Sequence, residues 1–211
     1  MQVNKHSPKR WPWAGLLVCG LLLATTTVTH AQMPVTVSIF NESTSVPFTD
    51  WWSDPIHPGV EVGTYWPDRG GGRFRVVPGL RVGYLFHRKL FQGIYGRVNV
   101  GFTYRHPSGI NLKARLGAGY LRTYAVRTEY RMVDGQLRAR PDRGNHRVMP
   151  SLSWGVGYRL RRRDPQSTEL FLLHETWLEY PYAGDFIPLM AHTNLHLGAT
   201  FFPFPHKPSG R

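Results

Sequence analysis

Residues 150–160, PSLSWGVGYRL, alternate strictly in size and polarity. Pro150, Leu152, Trp154, Val156, Tyr158 and Leu160 form an apolar set, and Ser151, Ser153, Gly155, Gly157 and Arg159 a small or polar one. Successive side chains leave a strand on opposite faces, so this period dictates a β-strand with one bulky face and one small face. The pattern recurs at 73–87, 92–105, 110–126 and 189–202, runs of fourteen to seventeen residues. Soluble strands average about 5–6 residues, whereas a tilted membrane-spanning strand needs about 9–11 and tolerates overhang. Weaker runs at 35–41, 58–66 and 168–180 bring the expected total to about eight strands, an even number as bacterial barrels use.

Alternation alone does not say which face is inside. The small face decides. It carries Gly79, Gly83, Gly93, Gly101, Gly117, Gly119, Gly155 and Gly157 among its charges. Glycine on a solvated strand face gains nothing and costs about 0.5–1 kcal/mol, whereas inside a narrow barrel it makes room for long side chains. The bulky face places Trp66, Phe86, Tyr104, Tyr120, Tyr124 and Tyr158 near strand ends, where interfacial aromatic girdles lie. The expected fold is all-β: a closed, antiparallel, up-and-down transmembrane β-barrel with its bulky face toward lipid.

Connections alternate in length. Tight Pro/Gly/Asp-rich turns at 67–72, 106–109 and 162–167 separate longer segments at 42–57, 127–146 and 181–188, with a brief connection around Arg88–Leu90 as the exception. This fits short periplasmic turns and longer external loops. The run 168–180 is the least regular. Facing Glu175 and Glu179 inward leaves His174 and Thr176 outward, accepted because an ionised carboxylate on lipid costs more.

The first 31 residues read as a secretory signal peptide: Lys5, Lys9 and Arg10, an apolar run from Trp11 to Ala24, then Thr29-His30-Ala31 before a mature start at Gln32. The barrel then occupies 32–203, and 204–211 is a Pro/His tail expected to be disordered. Cys19, the single cysteine, leaves with the leader, which excludes disulfides and any cysteine-based nucleophile or metal site. Removing the three leader cations takes the formal charge from +13 to +10. For an exported chain the expected counter-charges are outer-membrane lipid and lipopolysaccharide, not nucleic acid.

An eight-stranded barrel is filled by its own side chains. The expected lumen network comprises Glu61, Arg81, Arg97, Arg105, Lys113, Arg115, Arg159, Glu175 and Glu179, with Arg73, Arg75 and Arg147 also turned inward. Phe48, Trp51 and Trp52 form an aromatic loop suited to a partner or to a membrane-interface anchor. His106 and Ser108 are weak catalytic candidates. Asp50, Asp54, His57 and Glu61, or His192 and His196, are polar lumen residues before they are a metal site. No metal or other cofactor is expected.

The segments PFTDWWSDPIHPGVEVGTYW, LRVGYLFHRKL, LGAGYLRTYAVRTEYRMVDGQ, PSLSWGVGY and LEYPYAGDFIPLMAHTNLHLGATF follow one another in order. In them the chain resembles a family of small Bacteroidota-type outer-membrane β-barrel proteins of uncharacterised function. The resemblance covers almost all of the mature chain. It implies the barrel fold and location in the cell outer membrane, and brings no catalytic residues. His106-Pro107-Ser108-Gly109 is similar to the His-x-Ser-Asn segment of lipid A deacylases but has Gly109 where that segment has Asn. The expectation is a non-enzymatic barrel, a structural or accessory subunit of a larger outer-membrane complex such as a transport or assembly machine. The alternatives are a lipid A modifying enzyme of the deacylase type and a small anion-conducting channel.

Overall fold

A computed structural model describes residues 33–45, 52–66, 72–133, 135–140, 142–182 and 187–203. The leader, Phe48, Trp51 and the tail at 204–211 lie outside the described residues. Ten strands follow in chain order: β1 (Val35–Ser43), β2 (Pro58–Tyr65), β3 (Phe74–Phe86), β4 (Phe91–Arg105), β5 (Ile110–Ala125), β6 (Glu129–Val133), β7 (Gln136–Arg140), β8 (Asn145–Arg159), β9 (Glu169–Glu179) and β10 (Met190–Phe201). Eight of them close an antiparallel barrel in the order β1-β10-β9-β8-β5-β4-β3-β2, and β6 and β7 form a separate two-stranded ribbon. Each of the eight runs read from the alternation is a barrel strand.

Polarity is inverted relative to a water-soluble sheet. Val98 is 60% exposed, Leu116 61% and Leu197 58%, all pointing away from the lumen, whereas Arg81, Arg97 and Glu61 inside it are 3% exposed or less. Of the inward set, Arg73 does not reach the lumen: it lies just before β3, exposed at the rim, where its carbonyl accepts the Arg105 N–H at 2.8 Å.

Two further differences from the sequence reading stand in the segment after β5. β8 begins at Asn145, five residues before the alternation becomes legible. His146 occupies an outward position there and breaks the apolar set. It faces Arg122 of β5 in register, so two polar residues mark where the apolar band ends. The expected loop at 127–146 also contains β6 and β7, joined through Gly135 at φ +74°. The Asp134-Gly135 pair is the strongest short-range hairpin signal, because this tight turn needs positive φ.

Inside, glycines create the room that bulky inward residues use. A Cβ at Gly83 of β3 would lie 2.2 Å from Cζ of Tyr95, whose ring crosses that position from β4. In the half of the lumen nearer the long loops, Tyr95 joins Phe40, Leu85, Phe91, Leu121, Met149 and Trp177 in an apolar cluster. The lumen is therefore a packed core as well as a charge network.

Candidate functional site

Midway along the lumen, Arg97 of β4 reaches both Glu61 of β2, two places away around the ring, and Glu175 of β9, three places away in the other direction. Its Nη1 donates to Glu175 Oε1 at 2.5 Å and to Ser151 Oγ at 3.2 Å, and its Nη2 pairs with Glu61 Oε2. Glu61 also accepts from Arg81 Nη1 at 2.8 Å and from the Tyr95 hydroxyl at 2.9 Å. These links tie β2, β3, β4, β8 and β9 across the barrel. Buried charges are tolerable only when paired, and each charged group of this layer is in an ion pair, though Arg81 Nε and Arg97 Nε have no hydrogen-bond partner among the described residues.

Toward the long loops lies a second layer of histidines and carboxylates. His192 of β10 is sandwiched: Nδ1 is 2.8 Å from Glu42 Oε1, Nε2 is 3.0 Å from Glu179 Oε2, and the ring stacks on Trp177 at 3.9 Å. Both nitrogens face carboxylate oxygens, so these three groups share protons among themselves. Glu179 is also held by Arg147 Nε at 2.9 Å. The other Glu42 oxygen, Oε2, faces His57 Nδ1 at 3.8 Å and His87 Nε2 at 3.9 Å, and has no hydrogen-bond partner among the described residues.

Glu42, His57 and His87 bring three ligand-type atoms within 4.8 Å of one another. The His57 and His87 rings stack at 3.7 Å beside the Glu42 carboxylate. His87 Nδ1 accepts the backbone N–H groups of Lys89 and Leu90 at 3.3 and 3.2 Å, which leaves the neutral ring's proton on Nε2, the atom aimed at Glu42. Burial holds the His87 imidazole below the ordinary histidine range, partly offset by Glu42.

Toward the short turns the lumen is basic. Lys113 pairs with Glu169, which also accepts from Asn111 Nδ2. Arg105, Arg115 and Arg159 line the same region. Arg115 lies over the Phe171 ring at 5.5 Å. In the turn at this end, Ser108 Oγ and His106 Nδ1 are 2.8 Å apart, both on the outside of the barrel. Trp52, the described member of the aromatic loop, is 54% exposed.

Of the nine residues read as a charge network, Glu61, Arg81, Arg97 and Glu175 meet in the middle layer, Glu179 belongs to the histidine layer, and Arg105, Lys113, Arg115 and Arg159 gather near the short turns. The reading missed Glu42, which fell within an expected loop, and Glu169, at the edge of the least regular strand. It also missed His87 as a lumen partner of Glu42. Leu85 and Leu121 fall on the same alternate positions as Gly83 and Gly119, which is the available signal for the apolar cluster.

No protein-family model and no curated protein matches the chain. Among solved structures, Neisserial surface protein A has a similar fold, with a TM-score of 0.51 at 8% identity, over 81% of this chain and 97% of that one. Ail, the attachment invasion locus protein of Yersinia pestis, aligns with a TM-score of 0.45 at 13% identity, over 80% and 95%. The N-terminal β-barrel domain of Pseudomonas aeruginosa OprF aligns with a TM-score of 0.43 at 13% identity, over 80% and 97%. The chain has the fold of an outer-membrane β-barrel, and an apolar exterior around a polar lumen belongs in that membrane.

Proposed function

We propose that this protein is a non-enzymatic outer-membrane barrel that serves as a structural or accessory subunit of a larger complex, with its strands spanning the bilayer, its short turns periplasmic and its long loops outside. The Bacteroidota-type family is the one to which we assign it. The observation that carries the reading is the β6–β7 ribbon. Tyr130, Met132 and Leu137 are 62–68% exposed on it, in a loop region where a free monomer gains nothing from apolar area. The occupant that fits is another outer-membrane protein. The filled lumen supports the same reading, because Arg97 and its two carboxylates stand across the barrel interior.

The test is affinity purification of tagged protein in mild detergent. A stoichiometric partner should co-purify with the native protein and be lost when 129–140 is replaced by a short Gly/Ser linker. Recovery of the barrel alone would refute the reading.

The deacylase alternative draws on the 2.8 Å contact between Ser108 and His106. That contact is part of a tight turn in which the Ser108 N–H also donates to His106 Nδ1 at 3.2 Å. Unchanged lipid A mass spectra in a strain lacking the gene would dispose of it.

A further inference from the structure

We infer that the short-turn end of the lumen is a binding site for a small tetrahedral oxyanion of the phosphate or sulfate class. A cavity of about 40 Å³ lies there, lined by Arg75, Arg81, Arg105, Lys113 and Arg115, with Glu169 as the single carboxylate among its lining residues. That is space for about three waters or one such ion.

The lining is predominantly cationic. Two of its cations are ion-paired, Lys113 with Glu169 and Arg81 with Glu61 of the middle layer, and both carboxylates are already shared with further donors. Arg105 and Arg115 are in no ion pair. Both are half-buried, and a guanidinium partly withdrawn from water carries a desolvation cost that arginine does not escape by losing its proton.

Hydrogen bonding points the same way. Arg81 is 3% exposed, and its Nε–H has no partner among the described residues; the Arg105 Nε–H is in the same state. Asn99, 8% exposed and also lining the cavity, has an amide Oδ1 without a partner, and rotating the amide by half a turn would present its NH₂ group instead. Several forked donors around one small space match an oxyanion, which accepts from many directions at once. Arg81, held by Glu61 of the middle layer, also lines the cavity. The inference stands apart from the partner reading above, since it concerns the opposite end of the barrel.

The ion has two sources, free oxyanion or the phosphate of a lipid headgroup, and the experiment separates them. The full-length protein, folded in a neutral-headgroup detergent, is melted by tryptophan fluorescence in inorganic phosphate and, in parallel, in lysophosphatidic acid, at constant ionic strength set by acetate. A saturable rise of about 5–10 °C at hundredfold excess over Kd is expected in at least one series. A rise with inorganic phosphate identifies the free ion; a rise with the lipid alone identifies the headgroup. Arg105→Gln and Arg115→Gln should each weaken binding about tenfold or more, whereas Lys89→Gln, exposed at the other end, should not.

In the acetate buffer without phosphate or lipid, Arg115→Gln should melt no lower than the native protein, because it removes a half-buried cation that is in no ion pair among the described residues. No saturable rise in either series, an equal rise in Arg115→Gln, or a marked loss of Tm by that variant in acetate alone would overturn the inference.

Discussion

Replacing Arg97 tests the middle layer most directly. Arg97→Met keeps the length and apolar stem of the side chain while removing two ion pairs at once. The two carboxylates are affected unequally. Glu61 keeps Arg81 Nη1 at 2.8 Å and the Tyr95 hydroxyl at 2.9 Å. Glu175 keeps Asn194 Nδ2 at 3.4 Å and a distant His196 Nε2 at 3.9 Å. Most of the penalty is therefore Glu175 left charged and under-bonded. Breaking a buried pair by removing one partner costs about 3–5 kcal/mol. Neutralising the stranded carboxylate in Arg97→Met/Glu175→Gln should return about 1–3 kcal/mol of that loss. Urea unfolding in lipid vesicles, followed by tryptophan fluorescence, measures both, and gel mobility with and without heating verifies that each variant has folded. Should Arg97→Met fold too poorly to measure, Glu175→Gln alone still reports the same coupling. A loss below about 1 kcal/mol is the value of a solvated pair. It would mean that water fills the middle of the lumen, refuting the closed plug.

The wall and the loops give further outcomes. Val98→Lys puts a charge at the centre of β4 on the outward face and should destabilise the inserted barrel by about 2–4 kcal/mol, read by the same unfolding assay; an unchanged midpoint would reverse the facing. Gly83→Val should displace Tyr95 from Glu61 and cost about 1–3 kcal/mol, while Tyr95→Leu should remove most of the difference between Gly and Val at position 83. Replacing 129–140 should leave the heat-modifiable gel shift of the barrel intact, since β6 and β7 pair only with each other. Planar-bilayer recording of the native protein should be silent, and Arg97→Ala should be the variant that first shows conductance.

The barrel was legible because its constraint is local. A two-residue period with glycine on the small face can be read within one strand, and it placed β3, β4, β5 and β10 to within one or two residues at each end. It failed at the start of β8, where His146 interrupts the apolar set, and at β6–β7, whose turn at Gly135 lies in a segment polar enough to pass for a loop. The lumen was legible only as a list. Alternation says that Glu61, Arg97 and Glu175 face inward, but their meeting depends on the stagger of strands two and three places apart, which no single strand encodes. Glu42 shows the limit most clearly. Its partners His57, His87 and His192 come from a loop, a rim position and the last strand, and barrel closure alone brings them together.

That closure has a consequence for how the chain can be re-cut. Val35 and Phe201 are register partners, so the first and last strands finish side by side at the short-turn end. A connector between residues 203 and 33 would bridge neighbours, and the circle so formed could be reopened elsewhere. Reopening at Pro107–Ser108, in a turn closed by the His106 N–H to Ile110 carbonyl bond at 2.9 Å, sets both new ends on the side where the native ends already are. Reopening near Lys89 sets them on the other side and would oblige both to cross the bilayer. The ring itself has no preferred beginning; the direction in which it is threaded into the membrane does.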